Sequence, residues 1–301
     1  NYNLGNIFQD IGKYFDAINL YKKAINLDMN LASAKAGLIT SSSQICDWNY
    51  KDTENNWLQA IGIEGAAINP WYLFALEDNP LKHLKRSQNL HQTYFIRKEE
   101  KIAPLNNKKI HIGYFSSDFR AHPTMYLISS ILKFHDKSKF EIYLYSFPPK
   151  EDEYTEIAKN CGCIFRDIKK LDHHKAVELA RKDKLDIAID LMGYIKYHRM
   201  PIFSYRVAPI QINYLGFPGS VGSNTIDYII ADNIIIPERH EKFYSEKIIR
   251  MPNCYQCNDD KKEICKDIIS KKDFNLPEQG FIFTCFNNNY KITKKEFNIW
   301  M

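Results

Sequence analysis

The sequence contains no run of about 18 apolar residues and no basic stretch leading into an apolar one at its start, so neither a membrane span nor a secretory leader is expected. There is no Asp-x-Asp pair, no Gly-x-Gly-x-x-Gly and no glycine loop followed by a Walker lysine. These absences exclude the metal-chelating motif of single-Rossmann sugar transferases and the fingerprints of dinucleotide and P-loop sites. The seven cysteines are odd in number and scattered, which argues against a secreted disulfide framework and for reduced thiols in a soluble, cytoplasmic protein. Cys254-x-x-Cys257 with Cys265 provides three thiolates but no fourth ligand, so no structural zinc and no cofactor are expected. The net charge of +5 comes from 41 basic and 36 acidic residues spread along the whole chain, which removes the case for a nucleic-acid partner.

What is present is a sequence able to bury a large core: 301 residues, 45% of them hydrophobic, with room for two domains. It starts at Asn1 already inside a helical pattern and ends inside another at Ile299-Trp300-Met301, so both ends are expected to lie within a longer chain. In residues 1–44, Leu4, Gly5, Phe8, Gly12, Ala17, Tyr21 and Ala24 fall at the spacings of a tetratricopeptide (TPR) unit followed by the first helix of another. Small residues are needed where paired helices cross closely and large ones fill the space beside them. A single unit cannot cover its own apolar face, so it is expected to end a longer array or to pack on the segment after it, and its surface to bind a polypeptide. Residues 45–106 form a helical connector in which Trp48, Trp57, Leu58, Trp71, Leu73, Phe74 and Leu76 read as packing.

From Lys109 onward, β-branched runs alternate with helical stretches, which is the pattern of a parallel sheet covered by helices. The runs are 110–115, 140–147, 163–168, 186–191, 210–215, 226–231 and 247–251, with helices expected near 125–134, 153–160, 173–184 and 240–244. Residues 107–252 are thus expected to form a Rossmann-like α/β lobe, 253–279 a polar linker, and 280–301 the start of a second α/β lobe whose first strand is Gly280 to Phe286. In such sheets ligands bind beyond the carboxyl ends of the strands.

Four loops meet that rule. Ser116-Ser117-Asp118-Phe119-Arg120-Ala121-His122-Pro123-Thr124 offers Asp118 and His122 as a general base or hydrogen-bonding pair, and Thr124 as a cap leaving a helix N-terminus facing an anion; a simple cap beside a solvated histidine is the alternative. Lys196, His198 and Arg199, after the run ending at Asp190, form a cationic cluster suited to a diphosphate or an acceptor, or else a solvated face. Leu215-Gly216-Phe217-Pro218-Gly219 is a loop through which backbone can approach a ligand, or an ordinary turn. Asn287 to Lys291 ends the expected strand with Tyr290 and with a lysine able to neutralise charge on a departing phosphate, though a solvated lysine is equally common.

Taken in order, the Cys-Asp-Trp connector, Ser-Ser-Asp-Phe with His-Pro-Thr, Gly-Tyr with a following Lys and Arg, Ala-Pro-Ile-Gln with Leu-Gly-Phe-Pro-Gly, Asp-Tyr-Ile-Ile-Ala-Asp, Tyr-Ser-Glu-Lys with Met-Pro, and Phe-Asn-Asn-x-Tyr-Lys-Ile resemble the TPR-containing O-linked N-acetylglucosamine (O-GlcNAc) transferases of glycosyltransferase family 41. The resemblance implies a GT-B enzyme with two Rossmann lobes and a cleft between them. It implies metal-independent, inverting transfer of N-acetylglucosamine from its uridine diphosphate (UDP-GlcNAc) to Ser or Thr of acceptor proteins that lie along the TPR surface, with no nucleic acid, membrane or cofactor involved. Carried over by motif, His122, Pro123 and Thr124 line the sugar site, Asp118 is a candidate to receive the hydroxyl proton, and Leu215 and Gly216 touch the sugar. By the same resemblance Lys196 and Arg199 lie near the acceptor entrance, Asn288 and Tyr290 contact the nucleotide and diphosphate, and Lys291 stabilises the leaving group. Asn288 stands where the family often has Gln, and Asn69-Pro70-Trp71-Tyr72 lacks a histidine found there in some members. The stretch 280–301 holds only the opening of the second lobe, so turnover by this chain alone is not expected. Protein O-fucosyltransferases, N-glucosyltransferases of the same architecture and a non-catalytic TPR binding module remain alternatives at this level.

Overall fold

The computed structural model describes residues 1–49, 60–95, 102–262, 264, 266–267 and 269–301; Trp57, Leu58 and Cys265 lie outside the described residues. Three helices open the chain, α1 (Tyr2–Asp10), α2 (Tyr14–Leu27) and α3 (Ala32–Gln44). Their crossing is set by Tyr21, whose buried ring lies between Gly5 and Gly37; a Cβ at either glycine would fall 2.8 Å or 2.5 Å from ring carbons. The Tyr21 hydroxyl lies 2.7 Å from Asn6 Oδ1 and 2.9 Å from Gln9 Oε1, which ties the buried phenol to the polar side of α1. Ala17, Ala24 and Ala34 complete this contact, as the spacing of small residues predicts. α3 is buried on two sides: Ala34 and Leu38 face the repeat, whereas Ala36 and Ile39 meet Ile61, Ile68 and Leu73 of the connector. The repeat therefore covers its open face with the connector.

That connector carries the short helix α4 (Trp71–Phe74) and the longer α5 (Pro80–Tyr94). Asn79 caps α5 by accepting from the Lys82 N–H at 3.1 Å, and Pro80 occupies the first turn, where a missing N–H does no harm. Arg86 is fully buried on α5; its Nε donates to the Ile61 carbonyl at 2.9 Å and its Nη1 pairs with Glu77. Leu90 belongs to the core of the α/β lobe, with Trp71 and Phe74 packed against that same core. The boundary drawn at 106/107 thus separates two sequence patterns but not two cores.

The lobe is one parallel sheet of β1 (Ile110–Ser116), β2 (Phe140–Ser146), β3 (Ile164–Asp167), β4 (Ile187–Asp190), β5 (Ile210–Asn213), β6 (Tyr228–Ala231) and β7 (Lys247–Arg250), in the order β3-β2-β1-β4-β5-β6-β7. Its helices are α6 (Pro123–Phe134), α7 (Glu153–Lys159), α8 (His173–Lys182) and α9 (Met200–Ser204). All seven expected runs are strands. Alternation on β1 sends Ile112 and Tyr114 to one core and Phe115 to the other, where it stacks on Tyr145 at 4.2 Å. The chain reverses its winding between β1 and β4, which places the switch point beside the carboxyl end of β1. Two elements differ from expectation: residues 238–243 form a 3₁₀ helix, and α9 follows directly on the cationic loop.

The largest correction concerns residues 280–286, which form no strand; Phe281, Phe283 and Phe286 are exposed. An apolar run becomes a strand only when neighbouring strands satisfy its backbone, and no strand among the described residues pairs with it. The following 3₁₀ turn (Asn289–Lys291) docks on α3 instead, and α10 (Lys294–Trp300) meets Trp48 of the connector through Phe297. Trp48 donates its indole N–H to the Ile292 carbonyl at 3.0 Å and packs on Phe297, so this tryptophan joins the two ends of the chain.

Candidate functional site

The carboxyl ends of the central strands carry a row of buried polar residues. Ser116 pairs in register with Ser146, Phe115 with Asp190, and Asp190 with Asn213, so Ser146, Ser116, Asp190 and Asn213 line one edge of the sheet. Apolar strands ending in polar side chains mark where loops must be held and ligands met. Asp190 holds the loop after β4, with Oδ1 accepting from Met192 N–H and Oδ2 from Gly193 N–H, both at 3.0 Å. Burial raises its carboxyl to about 7, against the lowering effect of those two N–H donors. Three polar atoms in this region, Asn213 Oδ1, Ser146 Oγ and Arg120 Nε, are buried without a hydrogen-bond partner among the described residues. Orphans of this kind are rare in the interior of a fold, though His83 Nδ1 and Ser87 Oγ on α5 are two more.

The loop after β1 brings Asp118, His122, Pro123 and Thr124 together. Asp118 is 3% exposed, paired with Arg120 Nη2 at 3.3 Å, and its Oδ2 lies 3.4 Å from His122 Nδ1. The residue capping α6 is His122 and not Thr124: His122 Nδ1 accepts from the Thr124 N–H at 3.2 Å. A nitrogen that accepts from a backbone N–H carries no proton, so the neutral ring is protonated on Nε2, and that N–H is its free donor. Desolvation lowers the His122 pKa, opposed by Asp118 and aided by Arg120, which favours this neutral form.

The loop after β5 meets its neighbour across the switch point. Leu215 has φ +70°, a left-handed conformation that a branched side chain rarely adopts, and a Cβ at Gly216 would run into the Leu191 carbonyl. Glycine is required there because the loop backbone rests directly on the end of β4. Glu246, buried and not anticipated, fixes the next residues: Oε1 accepts from Val221 N–H and Oε2 from Ser220 Oγ, both at 2.6 Å. Burial pushes its pKa up. In a chain with 36 acidic residues, Asp190 is marked only by ending an apolar run and Glu246 only by its place in the Tyr-Ser-Glu-Lys stretch.

The cationic cluster is dispersed. Arg199 turns inward, giving Nη1 to the Ile168 carbonyl at 2.9 Å and Nη2 to the Leu171 carbonyl at 2.8 Å, so it ties the turn after β3. His198 is packed edge-on against Phe95 and Tyr194, and desolvation drives its pKa down to about 4. Lys196 alone points to the surface, 2.8 Å from Asp10 of α1. An exposed pair of this kind contributes little energy. Lys196 lines an open pocket of about 500 Å³ with Asn6, Gln9, Thr40, Asn69 and Tyr290, at the junction of repeat, connector and lobe. Asn288 and Lys291 are exposed beside Tyr290 on the turn that docks against α3. No group of three or more His, Cys, Asp or Glu capable of holding a metal ion occurs among the described residues, and none of their helices is long and apolar enough to cross a membrane.

Residues 80–271 match the family model described as glycosyl transferase family 41. The probable UDP-N-acetylglucosamine–peptide N-acetylglucosaminyltransferase SEC of Arabidopsis thaliana is 34% identical over 200 residues, covering 64% of this chain and 20% of the relative. The probable transferase SPINDLY of Oryza sativa subsp. japonica is 32% identical over 222 residues, with 72% and 23% covered. The UDP-N-acetylglucosamine–peptide N-acetylglucosaminyltransferase of Caenorhabditis elegans is 34% identical over 162 residues, with 53% and 14% covered. The chain matches about a fifth of the length of the first of these relatives. The fold is similar to that of a mutant of the Thermobaculum terrenum O-GlcNAc transferase, with a TM-score of 0.77 at 22% identity over 99% of this chain and 58% of the other.

Proposed function

The chain belongs to glycosyl transferase family 41, and from that premise we propose that the protein transfers N-acetylglucosamine from UDP-GlcNAc to Ser and Thr hydroxyls of proteins, inverting the anomeric centre and without a metal ion. The observation that carries this reading is the loop after β1, where His122 caps α6 through Nδ1 and so keeps Nε2–H as its donor. A neutral donor suits sugar hydroxyls and the amide of an N-acetyl group, and it does not attract bulk anions. Pro123 and Thr124 would line the sugar beside it, and the Leu215–Gly216 backbone would touch the sugar as well. Asp118, beside His122, is the group proposed to receive the acceptor proton, directly or through one water.

Lys291 and Tyr290 would meet the diphosphate, with Asn288 nearby, and Lys291 would offset the charge that grows on it as the glycosidic bond breaks. The acceptor polypeptide would approach through the pocket shared by α1, Lys196 and Tyr290. Arg199 is withdrawn from that role, because its guanidinium is committed to two backbone carbonyls.

The test is transfer of label from UDP-GlcNAc to bulk protein by the full-length protein, with guanosine diphosphate-fucose as the parallel donor. Label from UDP-GlcNAc supports the proposal; label from the fucose donor alone, or from neither with the protein folded, overturns it. Lys291→Ala should reduce transfer by about two to three orders of magnitude with an unchanged urea midpoint, since the side chain is exposed. Retained turnover would remove Lys291 from the mechanism.

A further inference from the structure

Cys161 and Cys163 bracket Gly162 in the turn between α7 and β3. Gly162 lies at φ +79°, a left-handed conformation that glycine adopts at little cost. Both flanking side chains pack on the same core, that of Ile142, Leu144 and Ala158. Both are free, partly exposed thiols. Cys161 Sγ lies 3.1 Å from the Ala158 carbonyl, to which it donates while protonated, and Cys163 Sγ lies 3.6 Å from the Leu132 carbonyl. The two thiols are thus separated along the chain by a single glycine and lie on one face of the same core. The Lys137 ammonium lies over Gly162, in the space a Cβ would take.

This arrangement divides the labour between the two thiols. The neighbouring Cys163 thiol holds Cys161 down at about 6, with Lys137 adding to the effect against the opposing burial. The Cys161 sulfur, with burial, raises Cys163 far above an ordinary thiol. A thiolate beside a protonated thiol, with one glycine between them, is a nucleophile with its resolving partner in place. Elsewhere among the described residues, Cys254 and Cys285 are exposed, and burial raises Cys257. The pair precedes the amino end of β3, at the edge of the sheet, whereas the Asp118, Asp190 and Leu215 loops all leave carboxyl ends.

We propose that Cys161 and Cys163 form a reversible dithiol–disulfide site that exchanges with low-molecular-weight disulfides. The Cys161 thiolate attacks one sulfur of the external disulfide, forming a mixed disulfide and expelling one thiolate. Cys163 then loses its proton to solvent and attacks Cys161 Sγ, forming the Cys161–Cys163 bond and releasing the second thiol. The protein dithiol is oxidised and one external disulfide is reduced to two thiols. A ring closed over a single intervening residue is strained, and strained disulfides are the readily reduced ones, so the reaction runs back in excess thiol.

The full chain is equilibrated in mixtures of oxidised and reduced glutathione, quenched with acid and alkylated, and the peptide spanning both cysteines is weighed. With rising oxidised glutathione, that peptide should become lighter by two hydrogens, both cysteines should lose alkylation together, and excess reduced glutathione should restore them. Cys163→Ser should instead retain one glutathione on Cys161. Phenylarsine oxide, whose arsenic forms two As–S bonds with release of water, should protect both cysteines of the wild type from alkylation. A stable mixed disulfide on wild-type Cys161 with Cys163 still open to alkylation, or both thiols unmodified where Cys254 and Cys285 have reacted, would overturn the proposal. So would a failure of the arsenical to protect the pair.

Discussion

His122 caps α6 and is proposed to donate from Nε2 to the sugar, and a substitution can separate the two. His122→Asn retains a good capping side chain but loses the reach of the imidazole, so donor affinity measured by calorimetry should fall several-fold to about tenfold while the melting temperature stays close to wild type. His122→Ala should lose both, with about 1 kcal/mol of stability gone as well. Donor affinity equal to wild type in both variants would remove His122 from the sugar site. Asp190 should contribute to the pH dependence of stability. Its pKa is raised to about 7 in the folded protein, so the folded state binds more protons than the unfolded one between the ordinary carboxyl range and neutrality. Its contribution is fully present below the unfolded value and is lost as pH rises through about 7. Asp190→Asn should therefore flatten the fall in urea-unfolding stability between about pH 5 and about pH 8, by an amount on the order of a few kcal/mol. An unchanged slope would place the titration elsewhere. Neither role was legible beforehand: residue types at spacings identified the His122 loop, but which nitrogen is capped, and which acid is enclosed, depends on neighbours far apart in the chain.

At the level of elements, parallel strands were legible because burial on both faces forces apolar runs that polar loops then interrupt. Helix crossings in the repeat were legible for a related reason, since close approach demands small residues at fixed spacing. Gly37 tests this. Gly37→Ala improves helix propensity by about 1 kcal/mol, yet its new Cβ would meet the Tyr21 ring at 2.5 Å, with the ring already held by Gly5 on its other side. Overpacking costs about 1–3 kcal/mol, so the clash should prevail and thermal unfolding should shift downward; a stabilised variant would mean that the ring can move. The cationic loop shows the opposite limit. Lys196, His198 and Arg199 are neighbours in sequence, but the turn into α9 sends one to solvent, one into an aromatic cluster and one to the backbone of a different loop. Adjacency in the chain does not set side-chain direction.

For the whole molecule, the order of repeat, connector and α/β lobe could be read from changes in periodicity, whereas their fusion could not. α3 is packed on both sides, α5 contributes Leu90 to the lobe, and Trp48 ties residues near 292 to the connector, all contacts between positions with no local signature. The segment 280–286 has the composition of a buried strand, and its phenylalanines are open to water: Phe281 is 83%, Phe283 89% and Phe286 96% exposed. A row of exposed aromatic side chains is a surface for association with a second copy of the chain. In solution the chain should behave as a colloid with one adhesive border: light scattering should rise with concentration and with added sulfate, and Phe283→Ser together with Phe286→Ser should suppress it without moving the unfolding transition.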